Sequence, residues 1–123
     1  MHPCTYSLLS PDQEIGLPLG HHIYLRATIH DEMIMRPYTP TSLTDQRGSF
    51  DLVVKVYPAG QDPKHPEGGK MSQYLDRLSI GQTIDVKGPM GRLIYQGRGC
   101  FEIAGKLHRP QVQQLGMIAG GTG

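Results

Sequence analysis

The sequence predicts an all-β domain carrying one short helix, and three observations lead there. The 123 residues include 16 Gly and 10 Pro, which cut the chain into short segments. Most of these segments alternate apolar and polar residues with a period of two, as strands with one buried face do. One stretch, residues 70–78, instead places Met71, Tyr74, Leu75 and Leu78 at helical spacing.

Six candidate strands occupy residues 5–9, 22–29, 32–38, 49–57, 83–88 and 91–95. His30-Asp31 joins the second to the third as a tight hairpin, although no Gly is present to favour it. Within 49–57, Phe50, Leu52, Val54 and Val56 share one face, and Asp51, Val53, Lys55 and Tyr57 share the other. Residues 58–69 hold Pro58, Gly60, Pro63, Pro66, Gly68 and Gly69, a density that excludes regular structure and predicts an exposed loop. The helix over 70–78 follows it, with Gly81 as a stop. Residues 114–119 read as a buried strand running into Gly120, Gly121, Thr122 and Gly123, the way a nucleotide-binding βα unit opens. The expected division is therefore a β domain over 1–115 and the start of an α/β domain over 116–123.

Twelve Lys+Arg against 11 Asp+Glu give a formal net charge of +1, without the one-sided basic balance of a nucleic-acid or anionic-membrane binder. The longest apolar stretches are far shorter than the roughly 20 residues of a membrane span. Residues 1–10 lack the charged start and apolar centre of a signal peptide, so the expected location is intracellular and cytoplasmic. Membrane association would be left to residues preceding these. Cys4 and Cys100 read as free thiols, and the six histidines form no zinc-type cluster, so no metal is expected. His21-His22 reads as a polar position at a sheet edge.

Two constellations carry chemistry. Arg36-Pro37-Tyr38-Thr39-Pro40-Thr41-Ser42 offers a cation, an aromatic ring and hydroxyls on an extended chain stiffened by prolines, which suits a phosphate joined to a planar ring. A polar edge strand with a Pro-rich exit would look the same. Gly68-Gly69-Lys70-Met71-Ser72 opens the helix, where unpaired N–H groups and a hydroxyl can meet an anion. Alternatively, the glycines merely close the loop and Ser72 caps the helix.

Together and in order, the two sets resemble a known family. Arg-x-Tyr-Thr-x-x-Ser appears as Arg36, Tyr38, Thr39 and Ser42, and Gly-x-x-Ser-x-x-Leu as Gly69, Ser72 and Leu75. This pattern, within matching flanks over nearly the whole chain, is similar to the FAD-binding domain of the NADH-cytochrome b5 reductase and eukaryotic nitrate reductase family, in the ferredoxin-reductase-like superfamily.

The resemblance implies a six-stranded antiparallel Greek-key β-barrel with one helix, holding FAD at the face shared with a following NADH-binding domain. It implies that Arg36 and Ser72 bind the pyrophosphate, that Tyr38 packs along the flavin and ribityl chain, and that Thr39 bonds near flavin N5. Pro37 would shape that turn, and Ser42 completes the first motif. Val53 and Lys55 would lie beside the flavin, with Lys55 also meeting NADH, so Thr39 and Lys55 are the positions closest to the chemistry. Gly69 belongs to the second motif, Lys70 and Met71 would give backbone N–H groups, and Gly120, Gly121 and Thr122 would begin the nicotinamide-nucleotide loop.

NADH is the implied donor and cytochrome b5, or a fused b5-type haem domain, the implied acceptor. The opening barrel strand is expected to be missing or shortened. The short connection over 100–115 resembles the nitrate reductase branch more than the animal reductase branch. Residues 1–123 alone are expected to show little or no reductase activity. The competing reading is a non-enzymatic small β-barrel binding a nucleotide or a protein; near-neutral charge and 7% aromatic content count against a single-strand binder.

Overall fold

A computed structural model describes residues 1–120 and contains eight strands and one helix. They are β1 (His2–Ser7), β2 (His22–Ile29), β3 (Glu32–Tyr38), β4 (Ser49–Val54), α1 (Lys70–Arg77), β5 (Asp85–Met90), β6 (Leu93–Gly97), β7 (Cys100–Ile103) and β8 (Lys106–Leu107). The all-β class, the antiparallel pairing and the single short helix are as the sequence predicts.

The strand count differs, with eight strands where six are expected. Hydrogen bonding divides the strands into three sheets, β1-β4, β3-β2-β5 and β6-β7-β8. No ladder joins these sheets among the described residues, and within two of them the pairing shifts register, between His22 and Tyr24 and between Tyr95 and Gly97. Single bonds tie the connecting loops to the sheets: Thr41 N–H donates to Asp51 C=O in β4 at 2.9 Å, and Tyr95 N–H in β6 donates to Leu19 C=O at 2.8 Å. The two unexpected strands are only four and two residues long, too short to show a period.

The β2–β3 hairpin turns on His30 (φ 50) and Asp31 (φ 61), both left-handed as a two-residue I′ turn requires. Its register runs from Ile23 opposite Tyr38 to Ile29 opposite Glu32. β1 covers β4 along its full length, from His2 opposite Val54 to Ser7 opposite Ser49. Alternation in β2 and β4 seals Ile23, Leu25, Phe50 and Leu52, each at most 1% exposed, into one core. Each such side chain contributes about 1.5–3 kcal/mol relative to an exposed one. Tyr6 stacks on Phe50 with ring centroids 5.3 Å apart, and α1 adds Met71 and Leu75 to the same cluster.

β4 ends at Val54 rather than at residue 57, because the backbone of Tyr57 is drawn to the start of α1 instead of a neighbouring strand. Residues 114–119 do not form the expected buried strand. Met117 is 86% exposed and Ile118 fully so, and no backbone partner pairs with this stretch among the described residues. An apolar run becomes a strand only beside another strand.

Candidate functional site

The inner face of β3 changes character along its length. Glu32, Ile34, Arg36 and Tyr38 point one way by the period of two, and Ile34 is core while the residues on either side of it line a cleft. Its walls are the end of β3 with its Pro-rich exit, the end of β4, the loop before α1, and the first turn of α1. The cleft measures about 1290 Å³. That exceeds the roughly 300–1,000 Å³ of ordinary small-ligand sites and suits an extended ligand.

Most of the residues singled out by sequence meet here. Arg36, Pro37, Tyr38 and Thr39 line one wall, Val53 and Lys55 a second, and Gly69, Lys70, Met71 and Ser72 a third. Met71 turns its side chain into the core, leaving its backbone to face the cleft. Ser42 is elsewhere: its Oγ accepts the Asp51 N–H at 3.2 Å and fastens the chain after β3 to β4. Gly120 lies in the exposed tail away from the cleft, and Gly121 and Thr122 fall outside the described residues.

The start of α1 is built around Tyr57 and two glycines. Gly69 N–H donates to Tyr57 C=O at 2.9 Å, and Tyr57 N–H donates to Ser72 Oγ at 3.1 Å. The Ser72 hydroxyl itself donates to Gly69 C=O at 3.0 Å, so it braces the turn rather than capping an N–H. Gly68 sits at φ +70, and a Cβ there would come within 2.4 Å of the Tyr57 carbonyl oxygen. Only glycine fits this approach. The amides of Lys70, Met71 and Ser72 precede the first helical bond, Gln73 N–H to Gly69 C=O, and remain free to donate at the positive end of the helix.

Charge in the cleft favours an anion. Arg36, Lys55, Lys64 and Lys70 line it against two carboxylates, Glu32 and Glu67. Lys70 Nζ pairs with Glu32 Oε2 at 2.6 Å, tying α1 to β3. That hydrogen bond, reinforced by the charge of Lys70, holds Glu32 below the usual carboxylate range, and Glu32 in turn raises Lys70. Arg36 has no carboxylate partner among the described residues and donates only to Met35 C=O at 2.9 Å. Burial raises the Tyr38 phenol, with the Arg36 charge opposing the shift. Lys55 Nζ stands 5.0 Å from the centroid of the Tyr57 ring, a cation–π distance.

Sequence reasoning passed over Tyr57 and Glu32 as site residues. Tyr57 could have been found, since it shares a period-two face with Val53 and Lys55. No local signal marks Glu32, whose partner Lys70 is 38 residues away.

A cation and three free amides on one side, with a half-buried aromatic ring on the other, form a cradle for a phosphate-bearing planar cofactor. The profile described as "Oxidoreductase FAD-binding domain" matches residues 3–95. The chain belongs to this family.

Relatives come from both branches that the motifs resemble. The domain is 55% identical over 118 residues to a nitrate reductase (NADH) of Petunia hybrida, covering 96% of this chain and 13% of that protein. It is 52% identical over 122 residues to NADH-cytochrome b5 reductase 3 of Rattus norvegicus, covering 96% of this chain and 40% of that one. The fold also matches the crystal structure of the cytochrome b5 reductase domain of Ulva prolifera nitrate reductase, with a TM-score of 0.80 and 42% identity over 86% of this chain and 40% of the other. The FAD-binding domain thus spans well under half the length of these relatives. FAD as cofactor fits the donor set of the cleft: the free amides of α1 and Arg36 suit a pyrophosphate, and Gly68 and Gly69 let the turn that presents those amides close against Tyr57, Pro58 and Ser72.

Proposed function

We propose that this FAD-binding domain is the flavin-holding part of an NADH-dependent reductase that delivers electrons to a b5-type haem. The carrying observation is the convergence of Arg36 and the free amides of Lys70, Met71 and Ser72 on one cleft that also holds Tyr38, Thr39 and Lys55. In this reading Arg36 and the α1 amides hold the pyrophosphate, and Ser72 keeps the amides aimed by bracing the turn. The ring of Tyr38 and the side chain of Val53 shield the isoalloxazine from water, Pro37 fixes the strand exit between them, and Thr39 offers a hydroxyl at the flavin edge. FAD, when bound, supplies the redox chemistry, accepting a hydride and releasing electrons to a one-electron acceptor.

Lys55 is exposed at the mouth and serves the incoming nicotinamide dinucleotide. Residues from Gly116 onward begin the nucleotide-binding α/β domain, a role that suits the exposed, unpaired Met117 and Ile118. Between the branches we place the domain with nitrate reductase. The supports are the 55% identity to the Petunia nitrate reductase and the likeness to the Ulva domain.

NADH–ferricyanide reductase activity and flavin content, measured together in the protein carrying this domain, test the reading. In Arg36→Ala both should fall in step, and excess FAD should restore activity. Activity that survives loss of flavin would contradict it.

A further inference from the structure

Tyr57 sits where three parts of the cleft meet. Its backbone is fixed on both sides by the start of α1, accepting from Gly69 N–H at 2.9 Å and donating to Ser72 Oγ at 3.1 Å. Its side chain leaves this anchor packed on Gly69, where an added Cβ would lie 3.2 Å from Tyr57 Cβ and 3.5 Å from Cδ2. The ring is therefore held at its root, and it remains 53% exposed along the cleft. The phenol makes no hydrogen bond among the described residues. What the ring does contact is the Lys55 ammonium, 5.0 Å from its centroid.

Lys55 needs such a support. It lies one residue past the end of β4, is exposed, and has no carboxylate partner among the described residues. A four-carbon stem there samples many rotamers, and a cation that must meet an arriving anion loses affinity for each one it has to give up. The face of an aromatic ring restrains an ammonium without neutralising it, whereas a carboxylate would cancel the charge that the ligand is to meet.

We infer that Tyr57 is a positioning residue for the pyridine dinucleotide: anchored to α1 by its backbone, it holds the Lys55 ammonium at the mouth of the cleft through its ring face. The inference rests on the assignment of Lys55 to NADH. It adds that the phosphate-binding turn and the dinucleotide-binding cation share one mechanical support, so disturbing the ring reaches NADH without reaching FAD.

The test uses the flavin-loaded protein that carries this domain, with KM and kcat for NADH and, independently of turnover, the Kd of NAD⁺ by calorimetry. Tyr57→Leu keeps the backbone anchor and loses the ring face. It should raise KM and Kd about two- to five-fold, the range of an exposed cation–π contact, with kcat and flavin content unchanged. Tyr57→Phe keeps the face and should bind as the parent does. In a Lys55→Ala background, Tyr57→Leu should add nothing, because the two residues act as one unit.

Each failure is separately readable. If Lys55→Ala leaves KM and Kd unchanged, Lys55 does not serve the dinucleotide and the inference falls with that assignment. If Lys55→Ala weakens binding but Tyr57→Leu does not, or if the two effects add in full, Lys55 keeps its role and the support by Tyr57 is overturned. If Tyr57→Leu releases flavin instead, the ring belongs to the FAD site and the proposed separation is wrong.

Discussion

The half of the domain formed by β1–β4 and α1 and the half formed by β5–β8 bury their apolar residues very differently. In the first, alternate residues of β2 and β4 are sealed, and α1 adds Met71 and Leu75. In the second, Phe101 is the one buried residue among the described strands, while Leu93, Tyr95, Ile103 and Leu107 remain well exposed. The cleft belongs to the first half. The strand that ends in Arg36 and Tyr38 carries Ile34 in the core two residues earlier, so a close-packed interior fixes where the cation and the ring stand. Side chains that must meet a cofactor with little reorganisation are thus mounted on the best-packed elements.

Truncating an apolar side chain in each half breaks or sharpens this contrast most directly. Phe50→Ala should cost about 3–5 kcal/mol of unfolding free energy, because a fully buried ring is lost and Tyr6 loses its stacking partner. Measured by urea denaturation, a cost near 1 kcal/mol would mean that the two halves share the stability more evenly than their burial suggests.

Arg36→Ala comes next in size and acts on binding instead of folding. A charge-assisted hydrogen bond is worth about 1.5–3 kcal/mol, so FAD affinity should fall roughly 10- to 150-fold while the urea midpoint of the flavin-free protein stays in place. Arg36→Lys should rescue only in part, since a point charge replaces a fork. Unchanged flavin retention in Arg36→Ala would mean that the arginine serves only to grip Met35 C=O.

pH probes the first half. Burial, with a smaller contribution from Cys4, pushes Tyr6 from its ordinary 10.0 up to about 12, and burial raises Tyr38 as well. Between pH 10 and about 12 the unfolded chain loses the Tyr6 proton and the folded one keeps it, so stability should fall steadily across that window, with the raised Tyr38 acting in the same direction. Tyr6→Phe should flatten part of the slope; an unaltered slope would show that Tyr6 titrates alike in both states. The smallest effect belongs to the second half. Leu107→Ser should change stability by no more than about 0.5 kcal/mol, as exposed positions do, and a larger loss would reveal packing at β8 that its exposure hides.

The same contrast explains what was legible in the sequence. Alternation in β2 and β4, the His30-Asp31 turn and the helical spacing from Met71 to Leu78 are local patterns enforced by burial, and each corresponds to an observed element. That Arg36, Tyr38 and Gly69 share one cleft was legible because a cation, a ring and glycines recur there at short spacing in two segments. The division into three sheets was not, because it depends on which strands pair across long stretches of chain, such as β1 with β4 and β2 with β5, and no local pattern marks that. Nor were the Glu32–Lys70 pair and the bonding of Tyr57 to the start of α1, which join residues far apart in the chain. Ser42 shows the converse. Its motif placed it with the binding residues, but a hydroxyl beside an unpaired amide satisfies the nearer partner, here the N–H of Asp51.

Arg36 and the amides opening α1 are the proposed pyrophosphate site. Parallel calorimetric titrations of the flavin-free domain with FAD and FMN test it in one measurement, since FMN shares the flavin and one phosphate but has no pyrophosphate. FAD should bind more tightly, by at least the roughly 10-fold of one charge-assisted contact. Equal affinities for the two would contradict it and leave the free amides of Lys70, Met71 and Ser72 without the ligand assigned to them.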